Sequence, residues 1–342
     1  MITIDGRDGG GQVLRTALSL SVILERPFRI EHIRGNRPTP GLKPQHLTAV
    51  EVVTELCDGT VSGAELESDT LRFEPGDARE TPLDAAIGTA GSIPLLFDTV
   101  LPIGAFSAVP LRVTATGGTD VKWSPTVAYQ QLVKLPLLAT WGVEADVEVK
   151  RTGFYPAGDG KAVLQTRPSS VSPLTLEHRG AIDRVDIYSK ATESLRDARV
   201  AQRQADRARA QLTEAGLRTT TGAVEYVRSR STGSSLLLRV GTRDAVAGFS
   251  ALGERGRSSE QVADDAVEQV FEFRDATAPV DRFMADQLML FLALAGGRVR
   301  IPAVTDHVRT NRAVLEAFGS DVHLDSRDDG THVLSAAAHP AL

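Results

Sequence analysis

The chain of 342 residues contains a single cysteine, Cys57, and this scarcity excludes several classes of protein. One thiol forms no internal disulfide framework and supplies no multi-cysteine metal site. The two most apolar stretches, residues 93–101 and 288–295, are far shorter than a membrane-spanning helix. The N-terminus lacks the basic and apolar regions of a secretory signal. We therefore expect a cytoplasmic protein without a membrane segment.

Lysine is also rare, because only 6 of the 38 basic residues are lysine and 32 are arginine. With 44 acidic residues the net charge is −6, so the chain lacks the general basic coat of many nucleic-acid-binding proteins. A local basic cleft remains compatible with this balance, and arginine is the better planar partner for phosphate. Neither of the two standard glycine-rich nucleotide-binding fingerprints occurs.

What is present is a repeated order of predicted secondary structure. Residues 1–4 form a strand, a glycine loop and a helix follow, and strand 28–33 leads to helix 47–56 and two short strands. A second unit of the same order begins near Leu83, with helices predicted over 93–106 and 126–140. This pattern predicts an α/β (α+β) fold made of repeated modules, each with the order strand, helix, strand, helix, strand, strand.

The composition changes near residue 180, where an arginine-rich helix is predicted over residues 196–216. We predict that residues 180–271 form a small inserted α/β domain, and that 1–179 and 272–342 form the body of repeated modules. The basic helix would suit nucleic acid, but its interleaved acidic residues favour a solvated face. The strands predicted for the insertion are 183–189, 223–229 and 235–241, with a helix at 260–271. A helical run at 281–295 and closing strands at 321–325 and 332–335 are assigned to the last module.

Two loops carry groups suited to an anion. Gly9-Gly10-Gly11 precedes a helix and exposes backbone N–H groups, although a tight turn uses glycine equally well. The second loop is stiffened by three prolines, and guanidinium groups three positions apart on it can converge on one phosphate. A solvated turn with incidental charges is the alternative. Its polar residues are Arg34, Arg37 and Lys43, with Gln45 and His46 at the start of the next helix.

A histidine lies between a strand-like segment, 298–302, and a helical run predicted over residues 311–318. This is His307. Loops at such junctions often present reactive groups, and a neutral imidazole is a good nucleophile. A lone loop histidine is more often a surface or capping residue, so this stretch by itself is weak evidence for catalysis.

Taken together and in order, several motifs resemble the RNA 3′-terminal phosphate cyclase family across essentially the whole chain. The motifs are Gly9-Gly10-Gly11-Gln12-Val13-Leu14-Arg15, Ile33-Arg34-Gly35-Asn36-Arg37 with Pro40-Gly41-Leu42 and Gln45-His46-Leu47-Thr48-Ala49, Gly91-Ser92, Gly117-Gly118-Thr119-Asp120, Gly153-Phe154-Tyr155-Pro156-Ala157-Gly158, Ala285-Asp286-Gln287-Leu288, and His307 with Thr310-Asn311.

The resemblance implies a body of βαβαββ modules with a small inserted domain. It also implies an ATP-dependent enzyme that converts an RNA 3′-phosphate into a 2′,3′-cyclic phosphate. His307 matches the family's nucleophile, which attacks the α-phosphate of ATP, and AMP then passes from the histidine to the RNA. The implied partners are ATP, an RNA with a 3′-phosphate end and a divalent ion, Mg²⁺ or Mn²⁺. The oligomeric state is left open.

The same resemblance assigns the site, in which arginines neutralise phosphate charge. The catalytic positions are His307, Arg15, Arg34, Arg37 and Gln45. The nucleotide contacts are Gln12, Gln45, Asp286, Gln287 and His307, with Asp286 and Gln287 expected at the start of a helix. The metal ligand is Asp8, which stands where the family has glutamate and reaches one methylene less far. A second departure is Asp159, in a loop where the family more often has three glycines.

Two other functions are considered. A catalytically inactive cyclase-like factor of ribosomal RNA processing would lack the nucleophilic histidine, whereas this chain has His307. A transferase of small metabolites with a related fold, such as an enolpyruvyl transferase, would need phosphate-binding basic residues but no adenylated histidine.

Overall fold

A computed structural model describes residues 1–80 and 82–342 of the chain. Its first module has the element order βαβαββ and a single four-stranded sheet. The elements are β1 (Ile2–Asp5), α1 (Gly11–Ile23), β2 (Phe28–Glu31), α2 (Pro44–Leu56), β3 (Thr60–Ser62) and β4 (Leu71–Glu74). The strand order is β1-β2-β4-β3, and only β1 and β2 run parallel. A parallel pair needs a crossover connection, which α1 supplies, and the last two strands close the unit as a hairpin.

The second module repeats this order. Its elements are β5 (Pro82–Ala86), α3 (Ile93–Phe106), β6 (Leu111–Gly117), α4 (Val127–Tyr129), α5 (Leu135–Ala139), β7 (Ala145–Arg151) and β8 (Gly160–Thr166). The sheet order is β5-β6-β8-β7, with β5 parallel to β6. A π-helical turn, Gln130–Lys134, joins α4 to α5, so the helix predicted over 126–140 has an irregular centre.

A short strand, β9 (Leu174–Leu176), precedes the insertion. We call residues 182–275 the insertion, and its elements are β10 (Ile182–Thr192), α6 (Val200–Glu214), β11 (Thr219–Val227), β12 (Ser234–Thr242), β13 (Val246–Leu252) and α7 (Ser259–Asp275). Its sheet has the order β11-β10-β12-β13, and α6 and α7 pack on it around a second apolar core. The predicted edge at residue 271 falls inside α7.

The third module surrounds the insertion in sequence. After α7 come α8 (Arg282–Gln287), α9 (Met289–Ala295), β14 (Gly297–Ile301), α10 (Asp306–Ala317), β15 (Val322–Ser326) and β16 (His332–Ala336). The sheet order is β9-β14-β16-β15, with β9 parallel to β14, so β9 is the first strand of this module. The last module was predicted to begin with a helix, and that prediction was wrong because a three-residue strand is too short to show alternation.

The three modules share one apolar core, in which α1 packs against α2, α3 and α10. Phe28 links the first module to the third, because its ring lies 5.9 Å from Phe73 and 6.2 Å from Phe318. All three rings are fully buried, and truncating a buried phenylalanine costs about 3–5 kcal/mol. Within residues 1–80 and 82–342, no helix combines the length and apolarity that crossing a membrane requires.

A buried carboxylate, Asp281, joins the second module, the insertion and the third module. It caps α8 and accepts hydrogen bonds from the Tyr129 hydroxyl (2.9 Å) and the Gly248 backbone N–H (3.1 Å). Burial raises the pKa of Asp281, and burial together with this carboxylate raises the pKa of Tyr129. Asp120 makes a second link, because it accepts a 2.7 Å hydrogen bond from Ser235 of the insertion. These bonds fix the insertion against the second module.

Candidate active site

His307 lies in the first turn of α10, and its side chain is 53% exposed. The helix begins at Asp306 because the Thr305 hydroxyl accepts a 3.2 Å hydrogen bond from the Val308 N–H. The predicted start at Asn311 was therefore wrong by five residues. A threonine followed by an acidic residue is a common helix-start signal and would have found the correct boundary. The imidazole is thus held on a helix rather than on a loop.

The carboxylate of Asp286 is the acidic neighbour of this histidine, with Oδ2 3.6 Å from His307 Nδ1. The distance exceeds hydrogen-bond length, but the negative charge still favours a proton on Nδ1 and leaves the Nε2 lone pair free. Asp286 and Gln287 end α8, whereas they were predicted to start a helix. The cause is the Asp281 cap, which starts α8 at Arg282.

Gln287 does not extend toward His307. Its Nε2 donates a 3.0 Å hydrogen bond to the Phe283 carbonyl of its own helix. Its Oε1 is buried and has no hydrogen-bond partner in the part of the chain that the structure describes. The geometry therefore brings Asp286 to the histidine and turns the Gln287 amide back onto α8.

Helices α1 and α10 are joined by side-chain hydrogen bonds. Gln12 Nε2 donates to Thr310 Oγ1 at 2.8 Å, and Thr16 Oγ1 donates to Asn311 Oδ1 at 3.0 Å. Helix α1 starts after Gly10, which has no side chain to cap the first N–H groups. These N–H groups and the positive end of the helix dipole are suited to an anion. The glycine loop therefore lies beside the helix that carries His307.

Arg15 and His46 meet at Gly11. A Cβ atom on Gly11 would lie 2.3 Å from His46 Nε2 and 2.8 Å from Arg15 Nη1, so only glycine permits this approach. The backbone of Gly11 is an ordinary helix start, so the requirement is for space and not for conformation. This gives the third glycine of the loop a specific role.

The Arg15 guanidinium has no acidic group within 4.0 Å and no hydrogen bond within residues 1–80 and 82–342. Burial lowers its pKa, and the more distant charges of Asp98 and Asp286 oppose that shift. Arginine nevertheless stays protonated at any physiological pH. A half-buried cation without a paired carboxylate is costly, and an incoming anion would offset that cost.

Two charged residues, Asp98 and Lys134, were not assigned to the site from the sequence. Lys134, in the π-helical turn, lies 2.8 Å from Asp98 of α3, and Gln130 donates to the same oxygen at 2.7 Å. The Asp98 carboxylate is thus paired with Lys134 and Gln130. Its negative charge also opposes the lowering of the Arg15 pKa by burial. The available signal was a single charge inside the apolar run 93–101.

His46 is neutral at physiological pH. Burial, with smaller effects from the cations Arg15, Arg34 and Lys43, lowers its pKa to about 3. Its Nδ1 accepts a 3.1 Å hydrogen bond from the Lys43 backbone N–H, so the proton is on Nε2. That N–H is the group that approaches Gly11, where it is an uncharged donor beside the cation of Arg15.

The two arginines of the second loop differ in their surroundings. Arg34 has a left-handed backbone (φ +56°), and its Nη1 donates to the carbonyls of Thr39 at 2.6 Å and Gly41 at 3.0 Å. Arg37 is exposed, and no side-chain hydrogen bond or ion pair holds it in the described part of the chain. Its Nη2 lies 3.6 Å from the position of a Cβ on Gly10. Arg34 therefore braces the loop, whereas Arg37 faces the glycine loop with its donors free.

Gln45 is oriented by the second module. Its Oε1 accepts a 3.1 Å hydrogen bond from the Ser92 N–H, which leaves its Nε2 as a donor. Gln45 and His307 are each the second residue of a helix that follows a module's second strand, because α2 is capped at Lys43 and α10 at Thr305. Gln45 and His307 therefore occupy equivalent positions in the first and third modules.

Asp8 is exposed and precedes the glycine loop. Its Oδ1 accepts a 2.6 Å hydrogen bond from Asn36 Nδ2, which ties it to the arginine loop and leaves Oδ2 available. Across residues 1–80 and 82–342, no cluster of three or more His, Cys, Asp or Glu side chains could enclose a metal. An ion at Asp8 would hence have one protein carboxylate, which suits Mg²⁺ shared with substrate phosphates and water.

Residues 7–322 match the profile of the family described as RNA 3'-terminal phosphate cyclase. The RNA 3'-terminal phosphate cyclase of Halobacterium salinarum is 40% identical over 347 aligned positions, which cover 98% of this chain and 100% of the relative. The protein of that name from Thermococcus onnurineus is 40% identical over 93% of each chain. One from Pyrobaculum aerophilum is 38% identical over 93% of this chain and 92% of its own length. The chain belongs to the RNA 3′-terminal phosphate cyclase family.

Proposed function

We propose that this chain is an ATP-dependent RNA 3′-terminal phosphate cyclase that works through an adenylate on His307. The observation that carries the proposal is the position of His307 on α10, with Asp286 on its Nδ1 side and α1 hydrogen-bonded alongside. A nucleophile placed beside a glycine loop and unpaired guanidinium groups meets the main requirement of phosphoryl chemistry, which is charge neutralisation.

In the first step, His307 Nε2 attacks the α-phosphorus of ATP. The N–P bond forms, the bond between the α-phosphorus and the bridging oxygen breaks, and pyrophosphate leaves. Arg15, Arg37 and the first N–H groups of α1 neutralise the phosphate oxygens. The Nε2–H of His46 donates a further hydrogen bond without adding charge. The proton on Nδ1 stays near Asp286, which stabilises the imidazolium-like adduct.

In the second step, an oxygen of the RNA 3′-phosphate attacks the adenylate phosphorus and releases His307. In the third, the neighbouring ribose 2′-hydroxyl attacks the activated 3′-phosphorus, loses its proton, and expels AMP as the 2′,3′-cyclic phosphate forms. Asp8 is the residue that would hold a divalent ion, which when bound withdraws charge from the phosphate oxygens.

The test is to incubate the protein with α-labelled ATP and Mg²⁺ or Mn²⁺ and to separate it on a denaturing gel. We expect a covalent label that acid removes, as a phosphoramidate requires, and that the His307→Ala variant lacks. His323→Ala, which removes another exposed histidine, is the matched control and should label normally. The labelled protein should then convert an RNA 3′-phosphate into a cyclic end. A folded wild-type chain that takes up no label would overturn the proposal.

A further inference from the structure

Trp123 is 94% exposed, whereas the other tryptophan of the chain, Trp141, is 7% exposed. The backbone of Trp123 has φ +59°, a left-handed conformation that disfavours a bulky L-residue. Trp123 therefore combines an unfavourable backbone with a large apolar surface in water. Such a combination, in which almost none of the indole surface is buried by the described residues, points to a ligand.

The turn that carries Trp123 is held on both sides. The Val127 N–H donates to the Thr119 carbonyl at 2.9 Å and closes the loop. On one side of the tryptophan, Lys122 Nζ lies 2.8 Å from Glu254 Oε2 of the insertion. On the other side, the Ser124 hydroxyl contacts the Ser92 hydroxyl. The indole is therefore presented from a fixed turn, so little ordering cost arises when it binds a flat ligand.

This turn adjoins the candidate active site through Ser92. The Ser92 N–H donates to Gln45, and Gln45 precedes His46, whose imidazole lies against Gly11. Next to Glu254 stands Arg255, which is exposed and has no acidic group within 4.0 Å in the described ranges. Trp123 and Arg255 thus lie on two turns that the Lys122–Glu254 ion pair joins, one in the second module and one in the insertion.

We infer that Trp123 is a stacking platform for an unpaired base of the RNA strand near its 3′ end; this rests on the proposed function. Single-stranded RNA is recognised by stacking on aromatic side chains, and every base offers a π face. A small nucleotide is usually enclosed on most of its surface. An almost fully exposed ring on an open turn instead suits a strand that continues into solvent, with Arg255 available to its phosphates.

The first measurement is a fluorescence titration with a single-stranded oligoribonucleotide of about eight nucleotides that ends in a 3′-phosphate. Stacking should quench the exposed indole, so wild-type emission should fall on binding. Trp123→Phe, in which Trp141 is the remaining tryptophan, should show little quenching yet bind the oligonucleotide nearly as tightly. Wild-type emission that stays constant while the RNA binds would overturn the inference.

The second measurement compares kinetics. Trp123→Ala should raise both Kd and KM for the RNA by between about 5-fold and about 100-fold, the range measured for loss of one stacked base. The rate of protein adenylylation by ATP should not change, and Trp123→Phe should restore most of the RNA affinity. An abasic nucleotide at the stacked position should remove the difference between wild type and Trp123→Ala.

Two results would contradict the stacking contact. Equal RNA affinity of Trp123→Ala and wild type would exclude it, and a matching loss of adenylylation would assign the indole to ATP instead. Failure of the wild-type chain to form any adenylate would overturn the proposed function alone, because the fluorescence titration needs no ATP and still decides whether Trp123 stacks on RNA.

Discussion

The side-chain amide of Gln12 donates a 2.8 Å hydrogen bond to the hydroxyl of Thr310, and these residues stand 298 positions apart. Thr310 lies one helical turn after His307 and also donates to the Asp306 carbonyl at 2.8 Å. One hydroxyl therefore sets both the first turn of α10 and its position against α1. This contact therefore holds His307, the proposed nucleophile, in a fixed position against the glycine-loop end of α1.

Thr310→Val should slow adenylylation about 10-fold, because a small displacement of the nucleophile from the phosphate costs one to two orders of magnitude. It should lower the free energy of unfolding by about 1–3 kcal/mol, since the buried amide of Gln12 loses its acceptor. Labelling rates and denaturant titration measure the two effects. Thr310→Ser keeps the hydroxyl and should behave as wild type; an equally slow serine variant would disprove the role of the hydrogen bond.

Arg15→Met should separate activity from stability. Replacing a half-buried cation, which has no ion-pair partner in the described part of the chain, with an apolar side chain of similar length should leave the free energy of unfolding unchanged or raise it. Adenylylation should fall at least 100-fold, the effect typical of removing a preorganised charge-stabilising donor. Arg29→Met, at an exposed arginine paired with Glu31, is the control and should keep full activity. A clear loss of stability in Arg15→Met would show that the guanidinium serves the fold.

Arg34→Ala and Arg37→Ala should differ although the two residues share a loop. The Arg34 guanidinium binds two carbonyls of its own loop, so its removal should expose residues 33–46 to protease as well as reduce turnover. Arg37 has its donors free, so its removal should reduce turnover at least 10-fold while protease resistance stays at the wild-type level. Limited proteolysis beside RNA cyclisation assays distinguishes them. Equal protease sensitivity would contradict the bracing role of Arg34.

The depressed pKa of His46 predicts an acid-dependent loss of stability. Its pKa is about 3 when folded and 6.5 when unfolded, so the unfolded chain gains the proton first as pH falls. The stability that the neutral imidazole contributes is fully present above pH 6.5 and is lost progressively as the pH falls toward 3. By pH 5 the free energy of unfolding has fallen by roughly 2 kcal/mol. His46→Asn keeps an acceptor for Lys43 and cannot titrate, so its stability relative to wild type should improve by this amount between pH 7 and pH 5.

Urea titrations at the two pH values measure this difference. The same substitution at the exposed His178 controls for removal of an imidazole. A His46→Asn variant whose stability changes with pH in parallel with wild type would show that the imidazole is not buried as a neutral group.

Much of the fold was predictable because local signals agree with the tertiary structure. Helix α3 was predicted at Ile93–Phe106, and this is confirmed, since Ser92 caps it and its residues are almost all apolar. Strand β9 was missed because pairing with β14, far along the chain, is what makes it a strand. Strand β13 was missed as well, and it is set by its antiparallel partner β12.

Motifs in the sequence predicted which residues belong to the site but not how those residues contact one another. Motifs placed Arg15 and Gln45 in the set, but nothing local indicates that a Cβ at Gly11 would strike His46. That conflict exists only once α1 and α2 pack together. Asp98 and Lys134 were not assigned to the site for the same reason, because their pairing depends on a π-helical turn that no periodicity predicts.

The three copies of the module place different residues at one equivalent position of the fold. Each copy begins a helix after its second strand, at Pro44, Val127 and Asp306. The first copy presents the amide of Gln45 and the neutral imidazole of His46 there, and the third presents His307, the proposed nucleophile. The second begins with Val127 and Ala128 instead, and its next residue, Tyr129, is bonded to the carboxylate that anchors the insertion. One equivalent position in three similar modules thus supplies uncharged hydrogen-bonding groups, an exposed imidazole and an anchor for the insertion.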